Sequence, residues 1–185
     1  MRSKKSSTAA AAAGALSKST LNQPHPPLQN QLCFEGESLT RFLKSIKRGI
    51  ESARELDTTL PHKFWIKQQF AVGVNEVTRV LERMPANRDS KISSDEHLAT
   101  NHDLQAILLA SDCNPRLLTK HLPALAASRN VPLIFVKDTK EGSLRLGELI
   151  KLKTAIAIGI KAKGSDANQL IKEVLVRDKT HSIEN

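Results

Sequence analysis

The sequence predicts an α/β protein, a three-layer α/β/α sandwich around a small mixed sheet. Short, strongly apolar segments alternate with stretches in which apolar residues recur every three or four positions, which is typical of strands alternating with helices. The strand-like segments are apolar at consecutive positions, which indicates a sheet covered by helices on both faces. A hydrophobic content of 39% in 185 residues suits one domain with tails.

The chain begins with a segment that predicts no fold. Residues 1–34 combine an alanine run with several prolines, so we expect a disordered, basic tail rich in Ser, Ala and Pro. The domain is expected over residues 38–177, and its first helix starts at Ser38. The apolar stripe of that helix consists of Leu39, Phe42, Leu43, Ile46, Ile50 and Ala53.

The remaining elements follow from apolar runs and turn residues. Strands are predicted at 70–72, 104–110, 131–136 and 154–160. Helices are predicted at 74–83, from Asn114 as N-cap to about 129 with a break at Pro123, at 143–149, and from Asp166 to about 177. The polar residues 84–102 predict a flexible insertion, and residues 178–185 a C-terminal tail.

Charge and composition limit the class of partner. The net charge of +9 favours an anionic partner such as RNA, although it also fits a tail that only keeps the protein soluble. Aromatic residues make up 3% of the chain and Tyr is missing, which argues against a module that stacks many bases on rings.

Several functional classes have no sequence support. There is no zinc-type cysteine cluster, no G-x-G-x-x-G or P-loop motif, no nucleophile elbow and no apolar run that could span a bilayer. We therefore expect no catalytic residue, no metal site, no cofactor and no membrane partner. Asp112 at the end of a predicted strand is interpreted as a turn cap.

The stretch Gly73–Arg79 carries the strongest functional pattern. Gly73 permits close approach to the backbone, and a helix begins just after it. Asn75, Glu76 and Arg79 can lie on one exposed side of its first turns, beside free N–H groups that favour anions. An amide, a carboxylate and a guanidinium can form hydrogen bonds with the edge of a guanine base, while a phosphate binds at the N-terminus of the helix. Helix capping alone is the competing interpretation.

The order of motifs resembles a known family. The stretch 73–79 is similar to the signature of the kink-turn-binding ribosomal-protein family, the L7Ae group, which also contains box C/D and H/ACA particle proteins. The blocks 108–112, 121–123 and 130–137 resemble the central part of that family in the same order. Within the family, the segments 64–68, 71–83 and 149–153 most resemble the kink-turn-binding subunit of nuclear ribonuclease P and ribonuclease MRP.

The resemblance implies a function and a set of site residues. It implies a non-catalytic subunit that binds kink-turn RNA alongside other protein subunits, in a particle that processes tRNA and rRNA precursors. A box C/D or H/ACA particle, a ribosome, or a protein-interaction role on the same fold are the alternatives. The implied RNA-binding residues are Gly73, Val74, Asn75, Glu76, Arg79, Leu149, Ile150, Lys151 and Leu152.

The chain departs from the family pattern at two places. The polar segment 84–102 is an insertion between the RNA-binding helix and the next strand, and the last loop differs in composition. Residues 149–152 would form an apolar loop over an extruded nucleotide, yet they differ from the small or Gly-containing loop common in the family. Ordinary packing at the sheet edge is the alternative for these aliphatic residues. The implied location is the nucleus, and within it the nucleolus. The Ser- and Ala-rich N-terminus with Arg2, Lys4 and Lys5 also fits an organelle transit peptide.

Overall fold

A computed structural model of the chain describes residues 31–86, 103–138, 141–163 and 166–181, with the side chains of the last helix described for residues 168–176. The strands are β1 (Gln31–Glu35), β2 (Phe70–Val72), β3 (Leu104–Ala110), β4 (Leu133–Lys137) and β5 (Ala157–Lys161). The α-helices are α1 (Gly36–Leu56), α2 (His62–Gln69), α3 (Val74–Arg83), α4 (Leu122–Ser128), α5 (Gly142–Leu149) and α6 (Asp166–His181).

The strands form one mixed sheet in the order β1-β4-β3-β5-β2. Strands β1, β4 and β3 run parallel, and β5 is antiparallel to both β3 and β2. The predicted fold class is therefore confirmed.

Helices cover both faces of this sheet, which explains why the central strands β3, β4 and β5 are buried at most positions. On one face α1, α2, α5 and α6 pack on a core that includes Ile46, Trp65 and Leu108. On the other face α3 and α4 pack on a second core that includes Leu81 and Ile107. Alternate residues of β3 thus enter opposite cores, as the period of two in a strand requires.

The N-terminal tail ends earlier than predicted. Residues 31–34, placed in the tail by the sequence, belong to the edge strand β1 and pair with β4. Leu32 and Phe34 pack against the core, and the Phe34 ring stacks on Phe42 with a centroid distance of 4.4 Å. Two inward side chains in a five-residue strand give too little periodicity to be distinguished from a coil after a Pro-rich segment. Residues 1–30 lie outside the described residues.

The helix predicted from Asn114 is also different. A short 3₁₀ turn, Arg116–Leu118, comes first, and α4 then begins at Leu122 with Pro123 in its first turn. Pro123 therefore starts a helix, where its missing N–H is not needed, rather than breaking one. At the C-terminal end, α6 continues to His181, beyond the predicted end at residue 177. Of the predicted insertion 84–102, residues 87–102 are outside the described ranges.

Candidate nucleic-acid interface

Three segments meet at one end of the sheet, where β2 and β3 finish and β5 begins. The N–H of Gly73, just after β2, donates to the carbonyl oxygen of Ala157 at 2.8 Å. The N–H of Ala110, at the end of β3, donates to the carbonyl oxygen of Ile156 at 2.9 Å. This end of the sheet is therefore shared by the turn before α3, the loop 150–156 and the segment 111–121.

Gly73 joins β2 to α3 in a conformation that side chains rarely adopt. Its φ is +92° and its ψ is 157°. A Cβ at this position would find no heavy atom within 4 Å. The glycine is thus required by its backbone angle and not by crowding, and the space above it is open to a partner.

The start of α3 presents polar groups beside free N–H groups. No side chain caps this helix in the described structure, so its first N–H groups keep their capacity to bind an anion. Asn75 is exposed, and Glu76 pairs with Arg79 at 3.4 Å with side chains that are 44% and 67% accessible. Val74, by contrast, packs partly against the core. The structure therefore brings Gly73, Asn75, Glu76 and Arg79 to one surface.

The orientation of α3 is fixed by its buried face and by α4. Val77, Val80 and Leu81 are buried. The Arg129 Nε–H donates to the carbonyl oxygen of Leu81 at 3.0 Å, and Thr78 Oγ1 lies 2.8 Å from Nε2 of His121. His121 is exposed.

The 3₁₀ turn adds apolar residues that the sequence analysis did not identify as part of the site. Leu117 and Leu118 are 75% and 51% exposed, although both are large and apolar. They lie between the end of β3 and α4, in the segment that leads to His121, whose Nε2 is 2.8 Å from Oγ1 of Thr78 on α3.

The loop after α5 is only partly available to a ligand. Leu149 and Ile150 are 6% and 1% exposed and belong to the main core. Their predicted place in an exposed apolar loop is therefore wrong, because the last turn of α5 and the residue after it pack into the core. Lys151 and Leu152 are exposed, and Leu152 keeps 47% of its surface accessible.

A helix-ending motif holds this loop in place. The N–H groups of Lys151 and Leu152 donate to the carbonyl oxygens of Glu148 and Gly147 at 3.2 and 2.9 Å. Lys151 has a φ of +56°, so the pattern is a Schellman motif with lysine at the left-handed position. A Cβ on Gly147 would lie 2.7 Å from the Cα of Thr154, so this glycine allows the loop to fold back on α5.

Asp112 has a structural role. Its carboxylate accepts hydrogen bonds from the N–H of Ser143 at 3.1 and 3.2 Å and from the Ser143 hydroxyl at 3.1 Å. It therefore caps the start of α5 rather than its own turn. In the described ranges, no group of three or more His, Cys, Asp or Glu residues could hold a metal ion. None of the helices in this part of the chain combines the length and apolar character needed to cross a membrane.

Comparisons with known proteins agree with this architecture. Residues 96–170 match the model of the ribosomal protein L7Ae/L30e/S12e/Gadd45 family. The chain is 30% identical over 112 residues to human ribonuclease P protein subunit p38, which covers 60% of this chain and 32% of that protein. It is 32% identical over 88 residues to the Caenorhabditis elegans large ribosomal subunit protein eL8, covering 48% of this chain and 25% of that protein.

A solved structure shares the fold. The 15.5kD RNA binding protein of Giardia lamblia superposes with a TM-score of 0.52 at 17% identity, covering 80% of this chain and 92% of that one. The chain spans about a third of the length of the ribonuclease P subunits that it matches.

Proposed function

We propose that this chain, whose predicted resemblance to the L7Ae family is confirmed by the family match over residues 96–170, is a non-catalytic RNA-binding subunit that recognises kink-turn RNA. One observation carries the proposal. Asn75, Glu76 and Arg79 lie together in the first turns of α3, next to a glycine with open space above its backbone. Neither the fold nor the net charge would by itself single out a structured RNA.

The chemistry of this surface suits tandem sheared G·A pairs. The Glu76 carboxylate can accept from the amino and imino groups of guanine, and the Asn75 amide can both donate and accept at a base edge. The Glu76–Arg79 pair is exposed, so exchanging it for contacts with RNA costs little. Phosphate at the start of α3 would meet its free N–H groups, and Gly73 would let the RNA backbone approach.

We assign the particle to ribonuclease P or ribonuclease MRP, which act on tRNA and rRNA precursors. The relation to ribonuclease P subunit p38 over 60% of this chain supports this assignment. It implies a nuclear, and within the nucleus nucleolar, location, with other protein subunits as partners. The similarity to ribosomal protein eL8 favours a second candidate, in which the bound kink-turn belongs to ribosomal RNA.

A binding assay tests the recognition. Fluorescence anisotropy would compare a kink-turn RNA with the same RNA lacking its G·A pairs, for the parent and for an Asn75→Ala/Glu76→Ala variant. We expect each substitution to cost about 1–3 kcal/mol and to reduce discrimination between the two RNAs. Glu82→Ala is the matched control, because it removes one exposed carboxylate from the same helix and changes the net charge equally.

Two results bear on the proposal. The expected one is that Glu82→Ala keeps the discrimination that the double variant loses. If the parent binds both RNAs equally, or if the double variant behaves like Glu82→Ala, the start of α3 does not recognise kinked RNA. Co-purification of the tagged protein from its own cells, with sequencing of the bound RNA, then separates ribonuclease P and MRP from ribosomal and box C/D or H/ACA RNA.

A further inference from the structure

A cleft of about 700 Å³ lies on the face of the sheet opposite α3. Helix α1, the start of α2, and α5 with its following loop form its walls. Six basic residues line it: Lys47 and Arg54 from α1, His62 from α2, Arg145 from α5, and Lys151 and Lys153 from the loop. Leu152, the exposed apolar residue of the same loop, also lines this cleft.

The basic groups act on one another across the cleft. Partial burial lowers the pKa of His62, and the positive charges of Lys151 and Arg54 lower it further. These three residues come from three elements, and Lys151 follows the other two by about ninety residues. The fold thus brings the positive charges of Lys151 and Arg54 close to the imidazole of His62.

The acidic residues of the cleft are on its helical walls. They are Glu51 and Glu55 on α1, Glu141 just before α5, and Glu148 on α5. Glu148 pairs with Lys47 at 2.9 Å, and Arg145 pairs with Asp138 at 2.9 Å. At the loop end, the charges that shift the pKa of His62 are those of Lys151 and Arg54, and both are positive. This end of the cleft is therefore basic.

Lys151 occupies a backbone position that disfavours it. Glycine or asparagine is usual at the left-handed position of a Schellman motif, and α4 follows this rule with Asn130 at a φ of +56°. After α5 the same position holds a lysine, also at +56°. A disfavoured residue whose charge reaches a basic cleft indicates a function for that charge.

The floor of the cleft has an unused donor. Trp65 lines it and is 1% exposed, and Nε1 finds no acceptor within the described residues. The Arg54 guanidinium lies 5.8 Å from the centre of the Trp65 ring. The cleft therefore offers positive charge and hydrogen-bond donors around an apolar base, which suits a phosphate group.

We propose that the loop end of this cleft binds a phosphate of the RNA backbone, so that the RNA crosses the loop 150–156 and contacts both faces of the domain. The inference rests on the proposed function and extends it. The loop leads directly to Ala157, which bonds to Gly73, so one strand of RNA can reach both surfaces. Asn75 and Glu76 would read bases, while Lys151 and His62 would hold the backbone. Arg54 would add positive charge, because its guanidinium already donates to the carbonyl oxygens of Asp57 and Leu60.

The decisive variant is Lys151→Gly in the full chain. It removes the charge and at the same time supplies the residue that the backbone prefers. We expect the melting temperature to rise by about 2–4 °C. Affinity for the kink-turn RNA should nevertheless fall about 3- to 10-fold near 0.15 M KCl, and the slope of log Kd against log salt should decrease by about 0.7–0.9. A purely structural lysine could not produce these opposite changes.

Two further variants support the reading of that result. Lys151→Asn removes the charge but keeps a residue that tolerates the left-handed conformation, so it should weaken RNA binding without a large change in melting temperature. Lys63→Gln removes one exposed charge beside His62 outside the cleft lining and should leave both the affinity and the melting temperature close to those of the parent.

The pH dependence gives an independent readout. A bound phosphate favours the imidazolium form of His62, so affinity should increase from pH 7.5 to 5.5, and His62→Gln should lose this extra increase. The charged groups that face the cleft with His62 are Lys47, Glu51, Arg54, Glu55, Glu141, Arg145, Glu148, Lys151 and Lys153. The difference between parent and His62→Gln isolates the histidine from them.

The failures can be distinguished. If the parent prefers the RNA with G·A pairs but Lys151→Gly binds as tightly as the parent, the phosphate site is wrong and the proposed function stands. If the parent shows no such preference, the proposed function fails first. If Lys151→Gly keeps its RNA affinity but loses a co-purifying protein, the cleft binds protein and not RNA.

Discussion

Replacing Gly147 by alanine tests how the loop 150–156 is positioned. A Cβ at this position would lie 2.7 Å from both Cα and N of Thr154 and 2.8 Å from the carbonyl oxygen of Leu152. Ordinary contacts begin at 3.4 Å, so these atoms would have to move by about 0.6–0.7 Å to make room for the Cβ. All of them belong to the backbone, which cannot rotate away as a side chain can.

The sign of the effect depends on two opposing terms. Alanine is favoured over glycine inside a helix by about 1 kcal/mol. Overpacking of this kind costs about 1–3 kcal/mol. The loop also holds hydrogen bonds to α5, from the N–H of Leu152 to Gly147 and of Ala155 to Ser143, and these would lengthen. We therefore expect a net loss of about 1–2 kcal/mol of unfolding free energy.

Thermal and urea unfolding would measure this effect. For a domain of this size the loss corresponds to a melting temperature about 2–8 °C lower. Glu148→Ala, the adjacent helical position with an exposed side chain, should leave the melting temperature unchanged and serves as the control. A Gly147→Ala variant that is more stable than the parent would refute the reasoning. The higher helix propensity of alanine would then outweigh any clash of its Cβ with the loop backbone.

Three more predictions concern single residues. Asp112→Ala removes the acceptor for Ser143 at the start of α5 and should cost about 1 kcal/mol of unfolding free energy in urea titrations; an unchanged value would show that the cap is dispensable. The pKa of His62 is lowered in the folded state, so the unfolded chain binds more protons and stability should fall as the pH drops from about 7 to 5; His62→Gln should flatten this decline, and identical profiles would contradict it. Glu35 raises the pKa of Lys137 through an exposed pair at 2.6 Å, so Glu35→Gln should return that pKa towards its ordinary value in NMR titrations while the melting temperature stays the same.

The sequence predicted those elements whose pattern is local. Six of the seven residues of β3 are apolar, and α3 repeats its valines at helical spacing. Both elements were therefore identified within a residue of their bounds. Strand β1 was missed because its identity depends on pairing with β4, about a hundred residues later.

The site was predictable only in part. The polar start of α3 follows from local sequence, because helical spacing alone places Asn75, Glu76 and Arg79 together. The burial of Leu149 and Ile150 depends on which way the end of α5 faces, and apolar character does not distinguish core packing from a ligand contact. The cleft at His62 and Lys151 could not be predicted, since its members meet only in the folded chain. A left-handed residue at a helix end is usually a glycine, so a lysine at position 151 gives no sign of this conformation.

The strand order separates the chain's entry into the domain from its recognition surface. The residue pairings place Gly73 level with Ala157, Leu109, Phe135 and Cys33 across the sheet. Strand β1 is four positions from β2, which corresponds to about 19 Å at the usual spacing, and Gln31 lies two residues further back, so its distance from Gly73 is about 20 Å. A fluorophore attached just before Gln31 would therefore be outside the contact zone of α3 yet within energy-transfer range of a labelled RNA, and it would measure docking without disturbing it.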